Sequence, residues 1–162
     1  MNEQLLKMNG LSVKILDMLS FESHLGIPLK KNLHYFDKES LIEELMTMTE
    51  WLDEQELLSE IALDYRIKSL DSILMKYERY YPDHQTRKVF NDILGFRAFC
   101  DGYKQILEEK SPQFRIADMT KGKTVDDGYR GVHVYYQKSG RHYPIEIQFN
   151  TLFDRQLNNW LH

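Results

Sequence analysis

The chain has 162 residues, 42% of them hydrophobic and 28% charged, which predicts one or at most two folded domains and argues against wholesale disorder. No apolar run reaches the roughly 18 residues that a membrane span needs, and the N-terminus lacks the pattern of a secretory signal. The single cysteine, Cys100, excludes a disulfide within the chain and a cysteine-rich zinc site. We therefore expect a cytoplasmic protein with no membrane partner.

Charge is unevenly distributed along the chain, although the net charge is only −4. Residues 37–60 hold nine acidic residues and one basic residue, so the remainder of the chain carries a net charge of +4. An acidic run of this kind is typical of a solvated helix face. The basic remainder is where we expect an anionic ligand to bind.

The first part of the chain, residues 1–57, predicts a helical segment that packs on the domain that follows. Apolar residues recur at roughly helical spacing over residues 3–24, although Gly10 weakens the pattern. Asp37 is a good N-cap for a second helix, whose apolar face continues to about Leu58.

Strands and helices alternate over residues 58–162. Strict alternation over residues 61–68 predicts a half-buried strand with Tyr65 on its inner face, and Ser69 can cap a helix that runs to about Tyr80. The later predicted elements are a strand at 92–100 with Leu94, Phe96, Ala98 and Cys100 on one face, a helix at about 102–110, a strand near 114–117, a polar loop at 120–128, a hairpin over 132–149 and a helix after Thr151.

This order of elements predicts an α/β or α+β domain with a mixed sheet, because the last hairpin must be antiparallel. Nothing caps the final helix at His162, so we expect the native chain to extend further.

Basic residues and serines surround the start of the predicted helix after Ser69. Arg66 and Lys68 are two residues apart, so both point away from the buried face of their strand, and Lys76 lies two helical turns further on. Ser69 and Ser72 stand at the helix N-terminus, where free backbone N–H groups favour an anion. The arrangement suits a polyphosphate, and the alternative is a surface strand with ordinary basic residues.

Two carboxylates are placed on predicted strands. Asp92 opens one strand, and Glu146 lies within another, where it shares the non-apolar face with Gln148. A charge in the middle of an apolar strand is costly unless it is paired or binds a metal. An Asp and a Glu from neighbouring strands suit Mg²⁺ bound to a nucleoside triphosphate, and the alternative for Glu146 is a salt bridge to Arg97 or Arg66.

A tyrosine and an arginine lie between two glycines in the segment DGYRGVH. Tyr129 and Arg130 follow a polar loop, and His133 comes after them on a predicted strand. An exposed Tyr beside an Arg is the kind of pair that stacks on a nucleic-acid base. The alternative for Tyr129 is a packed turn tyrosine.

Four segments occur in an order that resembles the successive motifs of the RelA/SpoT synthetase domain. They are RIKSLDSILMKYER, DILGFRAFC, GYRGVHVYY and PIEIQFNT, within about residues 58–155. The resemblance implies a nucleotidyltransferase-like fold, with a mixed five-stranded sheet flanked by helices. It also implies transfer of pyrophosphate from ATP to a 3′-hydroxyl, with Mg²⁺ as cofactor.

The same resemblance implies a role for each matching residue. On the ATP side, Arg66 and Arg97 match the arginines that sandwich adenine, and Lys68, Ser72 and Lys76 match the phosphate binders. Asp92 matches the Mg²⁺ ligand, and Glu146 matches the carboxylate that binds Mg²⁺ or activates the acceptor hydroxyl. On the acceptor side, the match is to Tyr129 for stacking on the base and to His133 and Gln148 for holding the acceptor.

Departures from the family pattern cluster on the acceptor side. Asp127 stands where an Asn is usual, Asn150 stands where an Arg or Lys is usual, and the ending DRQLNNWLH replaces a W-A-x-x-E-H pattern. Because no hydrolase or regulatory region is present, the chain resembles a single-domain small alarmone synthetase. The ending is more similar to the toxic members that pyrophosphorylate the 3′ CCA end of tRNA. Asn150 removes a cation that would pair with the phosphates of a free nucleotide.

Three functions remain open at this point. The first is a tRNA-modifying toxin with a cognate antitoxin, the second is a GTP/GDP pyrophosphokinase that makes (p)ppGpp, and the third is an inactive nucleotide- or RNA-binding module. A tRNA acceptor needs cations outside the active site. Lys30 and Lys31, with Arg130 and Arg141, are candidates for that stripe, and the alternative for the lysines is a solvated loop pair.

Overall fold

The computed structural model of the protein describes residues 3–123 and 126–161. Within these ranges, one mixed five-stranded sheet is flanked by helices, as the sequence predicts. The strands are β1 (Asp64–Ile67), β2 (Leu94–Phe99), β3 (Phe114–Asp118), β4 (Val132–Tyr136) and β5 (Ile145–Asn150). The α-helices are α1 (Glu3–Met8), α2 (Val13–Met18), α3 (Lys38–Asp53), α4 (Glu56–Glu60), α5 (Leu70–Tyr80), α6 (Thr86–Val89), α7 (Lys104–Leu107) and α8 (Leu152–Leu161), and Leu33–Tyr35 forms a 3₁₀ turn.

The strand order is β1-β2-β5-β4-β3. The predicted hairpin of β4 and β5 is antiparallel, as are the β1–β2 and β3–β4 pairs, whereas β2 and β5 run parallel. β2, which follows helices α5 and α6, thus lies beside β5, the central strand of the sheet. Thr124 and Val125 of the predicted loop, and the predicted chain end at His162, lie outside the described residues.

One face of the sheet packs into the core. Leu94, Phe96 and Ala98 of β2 have no exposed surface, which confirms the predicted inner face of this strand. A single hydrophobic cluster runs from Leu5 in α1 to Phe149 in β5. The N-terminal helices and the sheet therefore share one core, and the opposite face of the sheet is left open.

The N-terminal helices differ from the sequence prediction in two places. The first helical pattern divides into α1 and α2 around Gly10, whose φ of +75° lies in the left-handed region that glycine tolerates. Asp37 caps α3 as predicted, with its carboxylate accepting from the backbone N–H of Ser40 at 3.0 Å. The helical segment predicted to about Leu58 is divided in two, because α3 ends at Asp53 and Leu58 reaches the core from the separate helix α4.

The strand predicted over residues 61–68 is shorter than its alternating pattern suggests. Only Asp64–Ile67 pair with β2, and Tyr65 is 43% exposed rather than buried. The reason is that β1 is an edge strand, so no neighbouring strand covers its outer side.

Ser69 caps α5 as predicted, with its hydroxyl accepting from the N–H of Ser72. Helix α6 was not predicted from the sequence.

A buried carboxylate joins the N-terminal segment to the residues before β5. Glu44 of α3 accepts hydrogen bonds from the hydroxyl of Ser23 at 2.8 Å, the backbone N–H of His24 at 2.6 Å and the hydroxyl of Tyr143 at 2.6 Å. Burial and this carboxylate together raise the pKa of Tyr143.

In the described residues, no helix has the length and apolar character that crossing a bilayer requires.

Candidate active site

Two rows of paired residues cross the open face of the sheet. Paired residues on neighbouring strands present their side chains to the same face, so the register decides which groups meet. The first row is Arg66, Gly95, Glu146, Tyr135 and Arg115, and the second is Asp64, Arg97, Gln148, His133 and Ala117. The structure thus brings residues from all four sequence motifs onto one surface.

The first recess, which lies on this face, has a volume of about 530 Å³. Its lining includes Arg66 and Arg97, which approach from β1 and β2, and the carboxylates of Asp92 and Glu146. Both arginine side chains are exposed, and the ion pairs of the described residues include neither of them. A planar group entering this recess would find two guanidinium groups free to stack on it.

Asp92 is held between two lysines. Its Oδ2 lies 2.9 Å from Nζ of Lys68, and its Oδ1 lies 3.1 Å from Nζ of Lys76. Burial opposes ionisation of Asp92, but the two ammonium groups outweigh it and keep the pKa of the carboxyl below its usual value. Burial lowers the pKa of Lys76 despite the attraction of Asp92. The two lysines also line a second recess, of about 640 Å³, together with Ser72 near the start of α5.

Glu146 has partners other than the arginines considered from the sequence. Its Oε1 accepts a hydrogen bond from Nε2 of Gln148 at 2.7 Å, and its Oε2 lies 3.7 Å from Nδ1 of His133. In residues 3–123 and 126–161, no ion pair joins Glu146 to Arg66 or Arg97. The carboxylate is 7% exposed and still borders the first recess, so it is available to a ligand there.

Tyr129 borders a third recess, of about 260 Å³. Its hydroxyl lies 2.7 Å from Nε2 of His133, and the Nζ of Lys123 lies 4.8 Å from the centre of its ring. Burial is the main cause of a lowered pKa at His133, although Glu146 opposes it. The first and third recesses share two lining residues, Arg97 and Gln148, so they are adjacent.

Arg130, an acceptor candidate from the sequence, lies apart from these recesses. Its guanidinium pairs with Asp126 at 3.0 Å, and it lines none of the three. Its backbone carbonyl accepts from the amides of Asn150 and Asn158 instead. Arg130 therefore anchors the turn before β4, while Arg141 follows the far end of that strand, so the two arginines do not form one stripe.

Lys30 and Lys31 lie beside Arg141 rather than beside Arg130. The backbone N–H of Leu29 donates to the carbonyl of Gly140 at 3.0 Å, and the N–H of Arg87 donates to the carbonyl of Leu29 at 2.8 Å. Three chain segments therefore meet at one place. Their basic side chains, which we call the basic surface, are Lys30, Lys31, Arg87, Lys88, Lys138 and Arg141.

The sequence predicts a divalent metal at Asp92 and Glu146. The two carboxylates fit such a metal when phosphate oxygens complete its coordination. Within the described residues, no group of three Asp, Glu, His or Cys side chains is arranged to hold a metal by itself. Mg²⁺ commonly uses only one or two carboxylates together with substrate phosphates. Asp92 and Glu146 both border the first recess, and they are the residues that would hold it.

Sequence reasoning missed several residues of this face. Tyr135 lies two residues after His133 on β4, so the period-two pattern of the strand could have placed it on the same face. The guanidinium of Arg115 lies 4.5 Å from the centre of the Tyr135 ring. Arg155 in α8 donates from Nε to Oδ1 of Asn150 at 3.1 Å. The sequence argument that residue 150 removes a cation is therefore true of that residue but not of the site, because Arg155 brings a guanidinium to the same place.

Neither a comparison with protein-family models nor one with curated proteins finds a match. Solved structures of the small alarmone synthetase 1 from Bacillus subtilis do match. The structure bound to its product pppGpp shares 26% identity, over 74% of this chain and 67% of that chain, with a TM-score of 0.40. The structure bound to AMPCPP shares 23% identity, over 74% and 72%, with a TM-score of 0.36. At these TM-scores the likeness does not by itself assign an activity.

Proposed function

We propose that the protein transfers pyrophosphate from ATP to a 3′-hydroxyl of a nucleotide acceptor. The observation that carries the proposal is the arrangement of the open sheet face. Two unpaired arginines, a lysine pair around Asp92, and the buried Glu146 converge there beside the recess of Tyr129. Together these residues come from all four sequence motifs of the resemblance.

The donor side would bind ATP through two kinds of contact. Arg66 and Arg97 would stack on adenine in the first recess, and Lys68 and Lys76 would bind the phosphates in the second, next to the N-terminus of α5. Asp92 pairs with both lysines, so the phosphates must compete with it for them. Mg²⁺ bound by Asp92 and Glu146 would supply neutralisation of the phosphate charge.

The reaction needs a hydroxyl that loses its proton as it attacks. The acceptor 3′-oxygen forms a bond to the β-phosphorus of ATP, the bond from that phosphorus to the oxygen of the α-phosphate breaks, and AMP leaves. Glu146 lines the donor recess beside Gln148, and it would take the proton of the hydroxyl. Gln148, which lines both recesses, holds the carboxylate by its amide.

The acceptor that we favour is the 3′ CCA end of tRNA. The basic surface supports it, since six cations on three adjoining segments suit the phosphates of an acceptor stem. Arg87 and Arg115 continue this surface toward the open face, because both line a cleft of about 260 Å³ that Tyr135 also lines. Modification of tRNA ends would make the protein a translation-inhibiting toxin, whose cell would need a cognate antitoxin.

A free GTP or GDP acceptor is the second candidate. The observation in its favour is the third recess, where Lys123 and Arg155 stand beside Tyr129 and provide cations for the phosphates of a free nucleotide. The two candidates differ in what they require of the basic surface. Only a tRNA acceptor uses cations that far from the tyrosine.

The test is transfer of labelled phosphate from ATP to deacylated tRNA, GTP or GDP, with release of AMP measured alongside. We expect tRNA labelling by the wild-type protein and its loss in the double variant Lys30→Glu, Lys31→Glu, with residual activity insensitive to salt and ATP affinity unchanged. The matched control is Lys104→Glu with Lys110→Glu, which reverses two exposed lysines outside the basic surface.

Three results would contradict parts of the proposal. If the Lys30→Glu, Lys31→Glu variant labelled tRNA at the wild-type rate in physiological salt, the basic surface would not be part of the acceptor site. Labelling of GTP or GDP alone would replace the tRNA candidate by the second one. Absence of AMP release with every acceptor would leave an inactive binding module.

A further inference from the structure

Arg155 has a guanidinium that the fold holds firmly at the edge of the third recess. Its backbone N–H donates to the carbonyl of Thr151 at 2.9 Å, which places it one turn into α8. Its Nε donates to Asn150, and its Cζ lies 4.5 Å from the centre of the Phe99 ring. Contacts on two sides therefore fix the plane of the group before any ligand binds.

The same guanidinium has a donor that none of the described residues satisfies. Nη2 of Arg155 is buried and has no hydrogen-bond partner in the described part of the chain. No carboxylate pairs with Arg155 there, and burial together with the nearby charge of Arg97 lowers its pKa. A buried donor without an acceptor is costly, so the arrangement favours an anion at this position.

The recess that Arg155 borders is predominantly cationic. Arg97, Lys123 and Arg155 line it, and the one acidic residue in its lining, Asp127, lies 3.3 Å from Lys123. Tyr129 forms another wall, with the Nζ of Lys123 4.8 Å from the centre of its ring. An aromatic wall beside converging cations suits a nucleotide, with its base on the ring and its phosphate among the cations.

We propose that Arg155 binds the 5′-phosphate of the acceptor nucleotide and thereby positions its 3′-hydroxyl. This inference rests on the proposed function, and it adds a specificity-determining residue that the sequence motifs do not contain. The 5′-phosphate is common to both acceptor candidates: it is a phosphodiester in the terminal nucleotide of tRNA and a diphosphate or triphosphate in GDP or GTP. Arg155 binds it through its guanidinium, while Nε remains on Asn150.

The test compares acceptors with and without this phosphate. GDP is compared with guanosine, and the dinucleotide CpA is compared with adenosine, in transfer assays with the wild-type protein, Arg155→Gln and Arg155→Lys. In the arm that matches the true acceptor, we expect the wild-type KM to be about 10- to 100-fold lower for the phosphorylated compound. Arg155→Gln should abolish this ratio and leave the KM for ATP unchanged, and Arg155→Lys should restore part of it.

A purely structural arginine would give a different result. Loss of α8 packing would weaken phosphorylated and unphosphorylated acceptors equally and would lower the melting temperature, so an unchanged ratio in Arg155→Gln overturns the proposal. The control is Gln156→Ala, the exposed neighbour on the same helix, which should alter neither KM.

Equilibrium binding separates this inference from the proposed function. Calorimetric titration of GDP, guanosine, CpA and adenosine into the chain without ATP needs no turnover. The wild-type protein could release no AMP and still prefer the phosphorylated compounds, with that preference lost in Arg155→Gln. In that case the proposed function fails and the phosphate site stands. If Arg155→Gln binds GDP and CpA as tightly as the wild-type protein does, the phosphate site fails whatever the activity.

Discussion

The Nζ of Lys68, just after β1, lies 2.9 Å from Oδ2 of Asp92, two residues before β2. The two side chains are about equally buried, at 10% and 14% exposure, and Lys76 completes the cluster from α5. One carboxylate thus keeps two ammonium groups close together at a largely buried position. Without it, the lysines would repel each other.

Asp92→Ala should abolish pyrophosphate transfer without unfolding the protein. The change removes a proposed metal ligand and leaves two unpaired lysines, so we expect inorganic pyrophosphate to bind at least as tightly as to the wild-type protein. AMP release and calorimetric titration of pyrophosphate measure the two effects. Asp71→Ala, an exposed acid in the first turn of α5, is the control. Retained AMP release in Asp92→Ala would exclude Asp92 as a metal ligand.

Glu146→Gln keeps the size of the side chain and removes its charge. We expect kcat to fall about 100-fold or more, as for a metal ligand or general base. The amide can still contact Gln148, so the melting temperature should change little. Steady-state transfer and a thermal unfolding curve are the measurements. A rate close to that of the wild-type protein would mean that Glu146 serves only its contacts with Gln148 and His133.

Much of the fold and part of the site follow from local patterns. The period-two alternation of β2 predicts its inner face, and the capping residues Asp37 and Ser69 locate two helices. The exposure of Tyr65 could not be predicted, because alternation does not say which strand lies at the sheet edge. Arg155 was missed for a similar reason: its contact with Asn150 depends on the angle at which α8 leaves β5, which no local pattern encodes.

Gly131→Ala should disturb the acceptor recess while leaving the donor side intact. A Cβ at this position would clash with Nδ2 of Asn150 and would lie 3.0 Å from the hydroxyl of Tyr129, so both groups must move. We expect the KM for the acceptor to rise at least tenfold and the free energy of unfolding to fall by about 1–3 kcal/mol. Acceptor and ATP kinetics, with chemical denaturation, provide the readouts.

Gly102→Ala is the matched control for this substitution, because a Cβ there meets nothing within 4 Å. It should leave both constants and the stability unchanged. An acceptor KM in Gly131→Ala equal to that of the wild-type protein would show that neither Asn150 nor the Tyr129 hydroxyl needs its present position.

Cys100 should react slowly with alkylating agents. Burial, with the nearby charges of Asp101 and Asp154, raises the pKa of its thiol from the usual 9.0 to about 11. At pH 8 this shift lowers the thiolate fraction about 100-fold, and the thiolate is the reacting form. Iodoacetamide labelling followed by mass spectrometry should therefore be at least that much slower in the folded protein than in urea.

The same shift predicts a pH dependence of stability. The folded protein keeps the thiol proton that the unfolded chain releases above about pH 9. The contribution to stability is therefore complete below that pH and is lost as the pH rises toward 11. Equal labelling rates in the folded and urea-unfolded protein at pH 8 would contradict both predictions.

The buried carboxylate of Glu44 limits how this architecture can be recombined. Its partners Ser23 and Tyr143 lie on opposite sides of the boundary between the helical segment and the sheet. A chimera that exchanged the N-terminal helices for those of a relative would bury the hydroxyl of Tyr143 without an acceptor, unless the replacement also provided a carboxylate at position 44. We therefore expect a change at one of these three residues to be tolerated only with a compensating change at another.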